Sequence, residues 1–268
     1  MGVLQHHTLL LSLRYGSFTH EVGFRRPLSM GPVRLGMVRI GLAMLQGARH
    51  EHIEALHVAA GELSIPLEVV ELRKGDQVDA SLDGLILPGG ESTAMRKASE
   101  SEALLPALYA WMDEHTTRPV LGTCAGAILL SAPGGNRAPY ITAPISRNAW
   151  GRQRQSFEAN VEIILPTPQA SNATVSAVAP DQFNRLPLPV APGAAPLPSQ
   201  GHPGVFIRAP RFETEAVGCE VVATLGDEVV GVLDGHRLAL TFHPELTLDR
   251  RFHRWLLAQA DHHTSDDS

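Results

Sequence analysis

From about residue 37 onward, apolar positions arrive in short blocks separated by amphipathic stretches. Residues 38–45 form a short apolar run that predicts a strand, and 48–61 carry Ile53, Leu56 and Ala60 at helical spacing. Residues 67–72 again predict a strand. The run 82–87 reads as a buried strand that stops at Pro88-Gly89-Gly90, and 92 to about 115 reads as one helix. A further apolar strand, 119–123, leads into a helix from about Ala125. Strands alternating with helices predict a parallel sheet covered on both faces. The second half is richer in strands, at 157–165, 205–208, 220–225, 228–233 and 237–242, with a hairpin turn at Gly226-Asp227. A final helix, about 248–260, places Phe252, Trp255 and Leu256 on one face.

Two stretches lack this periodicity. Residues 1–36 predict a disordered extension, and the first 33 of them set Arg14, Arg25 and Arg26 against the single acid Glu21. The same bias fits a transit peptide, whereas a signal peptide lacks its charged start and long apolar core. Between Pro166 and Gly204 lie nine of the chain's 20 prolines, which predicts a solvated insertion at about 166–204 rather than a fold element. The polar end, 262–268, predicts a disordered tail. The expected folded domain is therefore 37–261.

Composition narrows the partners more than the fold. The chain has 268 residues, 44% of them apolar, enough for a sizeable core. A net charge of −6 without long basic runs argues against nucleic acid, and no apolar run is long enough to span a bilayer. Two cysteines, Cys124 and Cys219, are too few for a disulfide framework and suit a reducing, cytoplasmic setting.

Three short motifs could carry chemistry. Gly122-Thr123-Cys124-Ala125-Gly126 interrupts an apolar run between a strand and a helix, the pattern of a nucleophile elbow with cysteine at its apex. On its own, Cys124 reads equally as a small buried hydrophobe. His243-Pro244-Glu245 follows a late strand, and on an extended chain its imidazole and carboxylate would point the same way. Pro88-Gly89-Gly90-Glu91-Ser92 ends another strand. Its backbone N–H groups could face an anion, or it could be a plain turn with Ser92 as helix cap. His50, His52 and His57 share one predicted helix, but no ligand-spaced cysteine or carboxylate accompanies them, so no metal is expected.

With these motifs, the stretches "LQGARHEH" (45–52), "GLILPGGEST" (84–93), "GTCAGAI" (122–128), "RNAWGRQ" (147–153), "SFEA" (156–159), "VFIRAP" (205–210) and "FHPELT" (242–247) resemble the glutaminase subunits of pyridoxal 5′-phosphate synthase, a family of class I, triad-type glutamine amidotransferases. The resemblance implies an α/β fold, flavodoxin-like and three-layered, with a central mostly parallel sheet and an antiparallel extension. It implies a catalytic triad of Cys124, His243 and Glu245, and an oxyanion hole from the N–H groups of Gly90 and Ala125. It implies L-glutamine contacts from Gly90, Glu91, Ser92, Arg147, Ile207 and Arg208. Gln46 and Gly47 would lie at the interface with the synthase subunit, in a hetero-oligomer whose docking activates the glutaminase. No cofactor is needed for the thiol chemistry. Met44 and Ala127 depart from the family's usual Gly and Leu. The competing expectations are the glutaminase of another amidotransferase, such as that of the histidine pathway, and an inactive regulatory or interaction protein on the same fold.

Overall fold

The computed structural model describes residues 36–147, 150, 156–170 and 201–266. In chain order, the first half contains β1 (Val38–Ala43), α1 (Arg49–Leu63), β2 (Leu67–Leu72), β3 (Gly84–Leu87), α2 (Ser92–Ser99), α3 (Leu104–Glu114), β4 (Val120–Thr123) and α4 (Ala125–Ser131). The second contains β5 (Ile145–Ser146), β6 (Ser156–Ile163), β7 (Gly201–Ile207), β8 (Arg211–Phe212), β9 (Glu220–Leu225), β10 (Glu228–Asp234), β11 (Arg237–Leu240) and α5 (Arg251–Asp266).

Among the described residues, nine strands form one sheet in the order β2-β1-β3-β4-β11-β10-β9-β6-β7. From β2 to β11 every pairing is parallel, and from β11 to β7 every pairing is antiparallel. The two halves carry different sequence signatures for a physical reason. Strands β3 and β4 are covered on both faces, so all their residues are buried and the pattern is a continuous run. Strand β6 has one wet face, so Glu158, Asn160 and Glu162 alternate with Ala159, Val161 and Ile163. Helices α1 and α5 cover one face through Leu56, Ala59, Phe252, Trp255 and Leu256. Helices α2, α3 and α4 cover the other through Met95, Leu108, Met112, Leu129 and Leu130. This is the expected three-layer α/β arrangement with an antiparallel extension.

Several boundaries differ from the sequence pattern. The helix expected over 92–115 is two helices. The run Ser-Glu-Ser-Glu (99–102) offers no apolar face, Ala103 turns into the left-handed region at φ 50°, and the Ser99 hydroxyl accepts the Leu105 N–H at 2.6 Å. The proline-rich insertion ends earlier than 204, because Gly201–Gly204 belong to β7 and pair with β6. Pro203 is tolerated there because β7 is an edge strand. The rest of that stretch, 171–200, and the extension 1–35 lie outside the described residues. The expected tail begins inside α5, which runs on to Asp266: once an apolar face anchors a helix, polar residues can continue it. The two-residue pairing of β5 with β8 was too short to carry a pattern.

The strand order also places the site. The chain leaves β1 for β2 on one side, while β3 lies on the other, so the connections that follow β1 and β3 run in opposite directions and leave a crevice above the paired strands. Gly47 sits in that crevice at φ 86°, where a side chain's first carbon would lie 1.9 Å from the Gly89 carbonyl oxygen. The loops after β1 and β3 therefore touch backbone to backbone, which only glycine permits.

Candidate active site

Cys124 follows β4 directly and caps α4, with φ 49° and ψ −105°. A non-glycine residue rarely adopts such a backbone, and it is retained here by its surroundings. The Cys124 N–H donates to Leu240 O at 2.8 Å, tying the turn to β11. Both flanking glycines are required by contact. A Cβ on Gly126 would stand 1.9 Å from Leu87 O, and one on Gly122 would stand 2.7 Å from a Leu130 methyl and 2.9 Å from the Gly126 carbonyl carbon. The elbow expected from the sequence is present, with the thiol 3.9 Å from the Ile207 carbonyl oxygen.

His243 follows β11, and its N–H donates to Val205 O at 2.9 Å. Its Nδ1 lies 2.7 Å from Glu245 Oε1, with both side chains buried. The expected pairing holds, but not through an extended chain. Pro244–Leu246 form a single 3-10 turn, which brings the carboxylate back beneath the ring. Burial pushes the His243 imidazolium down, but the Glu245 carboxylate, with hydrogen bonding and charge coupling to Cys124 and Glu245, outweighs it and holds the pKa at about 10. Burial likewise pushes the Glu245 carboxyl up, and the imidazoles of His52 and His243 more than reverse this. Gly89 packs against both His243 and Cys124. A Cβ there would meet His243 Cε1 at 2.4 Å and Cys124 Cβ at 3.4 Å.

Cys124 and His243 open into one cavity of about 570 Å³. Of the expected glutamine contacts, Gly90, Glu91, Ser92, Arg147, Ile207 and Arg208 all line it. Gln46 and Gly47, expected at a partner interface, line it too. Ala125 lies beside it as the first residue of α4, whose N–H has no acceptor within the helix. Glu245 lies behind His243 and does not reach the cavity wall. Gly90 takes φ 146°, and Gln46 Oε1 accepts the adjacent Glu91 N–H at 2.9 Å, so the loop after β1 holds the loop after β3.

Glu91, rather than Ser92, caps α2: its carboxylate accepts from Thr93 N at 2.9 Å and Ala94 N at 2.7 Å. Those bonds hold the Glu91 carboxyl below the usual carboxylate range. Arg147 donates to Thr93 Oγ1 at 2.8 Å, laying a cation across the start of α2. Arg208 bends away from β7 at φ 43°.

Sequence reasoning weighed His52 only as a metal ligand and gave no role to Thr123 or His253. His52 is fully buried, 3.5 Å from Glu245 Oε2 and 3.2 Å from Thr123 Oγ1, and its Nδ1 is 3.0 Å from His253 Nε2. The available signal was positional: His52 shares the apolar face of α1 with Leu56, Ala59 and Ala60. The ionisable group on that face marks a polar contact under the core.

The model of the family described as SNO glutamine amidotransferase matches residues 42–175 and 198–262. A protein of Thermococcus gammatolerans named pyridoxal 5'-phosphate synthase subunit PdxT is 35% identical over 231 residues, covering 84% of this chain and 100% of that protein. One of Halalkalibacterium halodurans with the same name is 34% identical over 225 residues, 82% of this chain and 94% of its own. A crystal structure described as a glutamine amidotransferase superposes with a TM-score of 0.59 at 34% identity, over 83% of this chain and 98% of the other. A crystal structure from Thermoplasma acidophilum, described as part of a putative GMP synthase, shares the fold. It is 16% identical, with a TM-score of 0.55 over 87% of this chain and 99% of that one.

Proposed function

Because this chain belongs to the SNO glutamine amidotransferase family, we propose that it is the glutaminase subunit of a pyridoxal 5′-phosphate synthase. It hydrolyses L-glutamine to L-glutamate and ammonia, and supplies the ammonia to a separate synthase subunit. One observation supports this most: a cysteine on a strained elbow and a His–Glu pair 2.7 Å apart open into the same cavity.

The chemistry follows from the groups present. The Cys124 thiol gives its proton to His243, and its sulfur attacks the side-chain amide carbon of glutamine, forming a C–S bond as the carbonyl π bond opens and places negative charge on the oxygen. The N–H groups of Gly90 and Ala125 receive that charge, and each such donor is worth on the order of 10²–10³ in rate. The C–N bond then breaks, and His243 gives its proton to the departing nitrogen as ammonia leaves. A raised imidazole pKa suits that step, because the proton waits on the ring. Water next attacks the glutamyl thioester and gives its proton to His243; the C–S bond breaks, glutamate leaves, and His243 returns the proton to the sulfur as the thiol reforms. Glu245 stabilises the imidazolium and fixes its tautomer, as the third member of such triads does.

Arg147 and Arg208 bring cations to the cavity wall, where the α-carboxylate of an amino acid needs one. Gln46 and Gly47, whose loop holds the Gly90–Glu91 segment, couple docking of the synthase to the oxyanion site. A cytoplasmic location suits two free cysteines, Cys124 and Cys219. The test is glutamine hydrolysis by the purified chain with and without its pyridoxal phosphate synthase partner. Turnover should rise when that partner is added, and it should vanish in Cys124→Ala. Full activity of Cys124→Ala would overturn the mechanism, and stimulation only by a different synthase would reassign the pathway.

A further inference from the structure

Glu245 has two carboxylate oxygens, and His243 occupies only Oε1. Oε2 is buried and, among the described residues, accepts no hydrogen bond. A buried ionised oxygen left without a donor is costly, so whatever faces it matters. His52 faces it, with Nε2 at 3.5 Å.

The proton positions on His52 can be worked out from its neighbours. Its Nδ1 and the Nε2 of His253, on α5, are 3.0 Å apart, so one proton lies between them. Burial pushes both imidazoles down; for His52 the Glu245 carboxylate pulls the other way, but burial with the nearby charges of His243 and Arg250 outweighs it, so both rings are neutral near pH 7. Arg250 is itself held by the carbonyls of Glu245 and Thr247 and by Glu54. Two arrangements remain. If His52 carried its proton on Nδ1, its Nε2 lone pair would oppose the Glu245 carboxylate, and His253 would bury an Nδ1–H that has no acceptor. If His253 Nε2–H donates to His52 Nδ1, the His52 Nε2–H points at Glu245 Oε2 and Thr123 Oγ1. Only the second arrangement presents a donor to the carboxylate.

We infer that His52 is a positioning residue: neutral and protonated at Nε2, it offers its N–H to the second oxygen of Glu245 and so fixes the carboxylate that orients His243. The role rests on the glutaminase assignment above. The 3.5 Å approach is longer than an ordinary hydrogen bond, and catalytic contacts of this kind commonly tighten in the substrate complex. Helix α1 thus buries Leu56 and Ala59 in the core and, one turn earlier, carries a donor to the active site.

The experiment uses the full chain with its synthase partner and measures kcat and KM for glutamine against pH in the wild type, His52→Phe and His52→Gln. Phenylalanine fills the space without a donor, whereas the glutamine amide restores one. His52→Phe should lose on the order of tenfold or more in kcat, the scale seen when partners that orient functional histidines are removed, with little change in KM. Its acid limb should move to higher pH, because the Glu245 carboxylate loses a donor that favours its ionised form. His52→Gln should return the limb toward the wild-type position. A purely structural role would lower melting temperature and active fraction but leave the limb in place, and that result overturns the inference. In parallel, the long-range ¹H–¹⁵N spectrum of the wild type, with His52 assigned, should show the Nε2–H tautomer; an Nδ1–H tautomer overturns the inference without any variant. The two assignments fail separately. A wild type that never turns over glutamine overturns the glutaminase reading, while an active wild type whose pH limb ignores His52 overturns only the role of His52.

Discussion

Replacing Gly89 by alanine adds one methyl group against the reacting imidazole and changes nothing else. Gly89 is not among the glycines with positive φ, so alanine is free to adopt its backbone. The added Cβ would meet His243 Cε1 at 2.4 Å and Nδ1 at 3.0 Å, where ordinary contacts begin at 3.4 Å. The ring cannot step aside at little cost, since it is buried and bonded to Glu245 at 2.7 Å. Relief requires a displacement of about 1 Å, and misplacing a reacting group by that distance costs on the order of 10²-fold in rate. Overpacking adds a stability loss of about 1–3 kcal/mol. Steady-state glutaminase kinetics with the synthase partner, beside a thermal melt, separate the two effects. The expected result is a folded protein with kcat/KM down about a hundredfold, mostly through kcat. Activity within about threefold of wild type would refute the placement of His243 against this loop.

Other consequences can be checked directly. Gly126→Ala should give little folded protein, because its Cβ would sit 1.9 Å from Leu87 O, a backbone atom of the central sheet; normal yield and melting temperature would contradict that close approach. Arg147→Ala should raise KM for glutamine about tenfold or more and change kcat little, as expected when a charged contact to bound substrate is lost; an unchanged KM would remove Arg147 from the substrate site. Stability should peak near neutral pH. His52, His202 and His253 are buried with pKa values pushed down, so their contribution is present above the unfolded value of 6.5 and lost as pH falls below it. His243, raised to about 10, stabilises fully below 6.5, and that contribution is lost as pH rises towards 10. Melting temperature should therefore fall on both sides of the window, and a flat profile from pH 7 to 5 would contradict the buried neutral histidines.

The centre of the parallel half was readable because β3 and β4 are buried on both faces and read as continuous apolar runs. Elements with weak periodicity were not: the break between α2 and α3 depends on one serine hydroxyl and one left-handed residue, Ala103. The start of β7 was hidden by Pro203, which reads as a breaker but is harmless on an edge strand. At the site, glycine spacing around Cys124 exposes the elbow, and the His-Pro-Glu triplet showed that His243 pairs with Glu245 but not the 3-10 turn that brings them together. His52 was not legible, because its role depends on α1 packing against α5 and on the turn after β11, far apart in sequence. Ser92 as the cap of α2 is one of two readings the sequence leaves open, and Glu91 takes that place because its carboxylate reaches two N–H groups, those of Thr93 and Ala94.

Cys124 as the residue that carries the glutamyl group is the claim on which the rest depends. Incubating the chain and its synthase partner with an electrophilic glutamine analogue, followed by peptide mass mapping, tests it directly. The chain contains its own control in Cys219, a second free cysteine whose thiol burial pushes up to about 11. The expected result is one adduct per chain, on the peptide containing Cys124, blocked by excess L-glutamine and absent from Cys124→Ala. Labelling of Cys219 alone, or equal labelling of Cys124→Ala, would contradict the account.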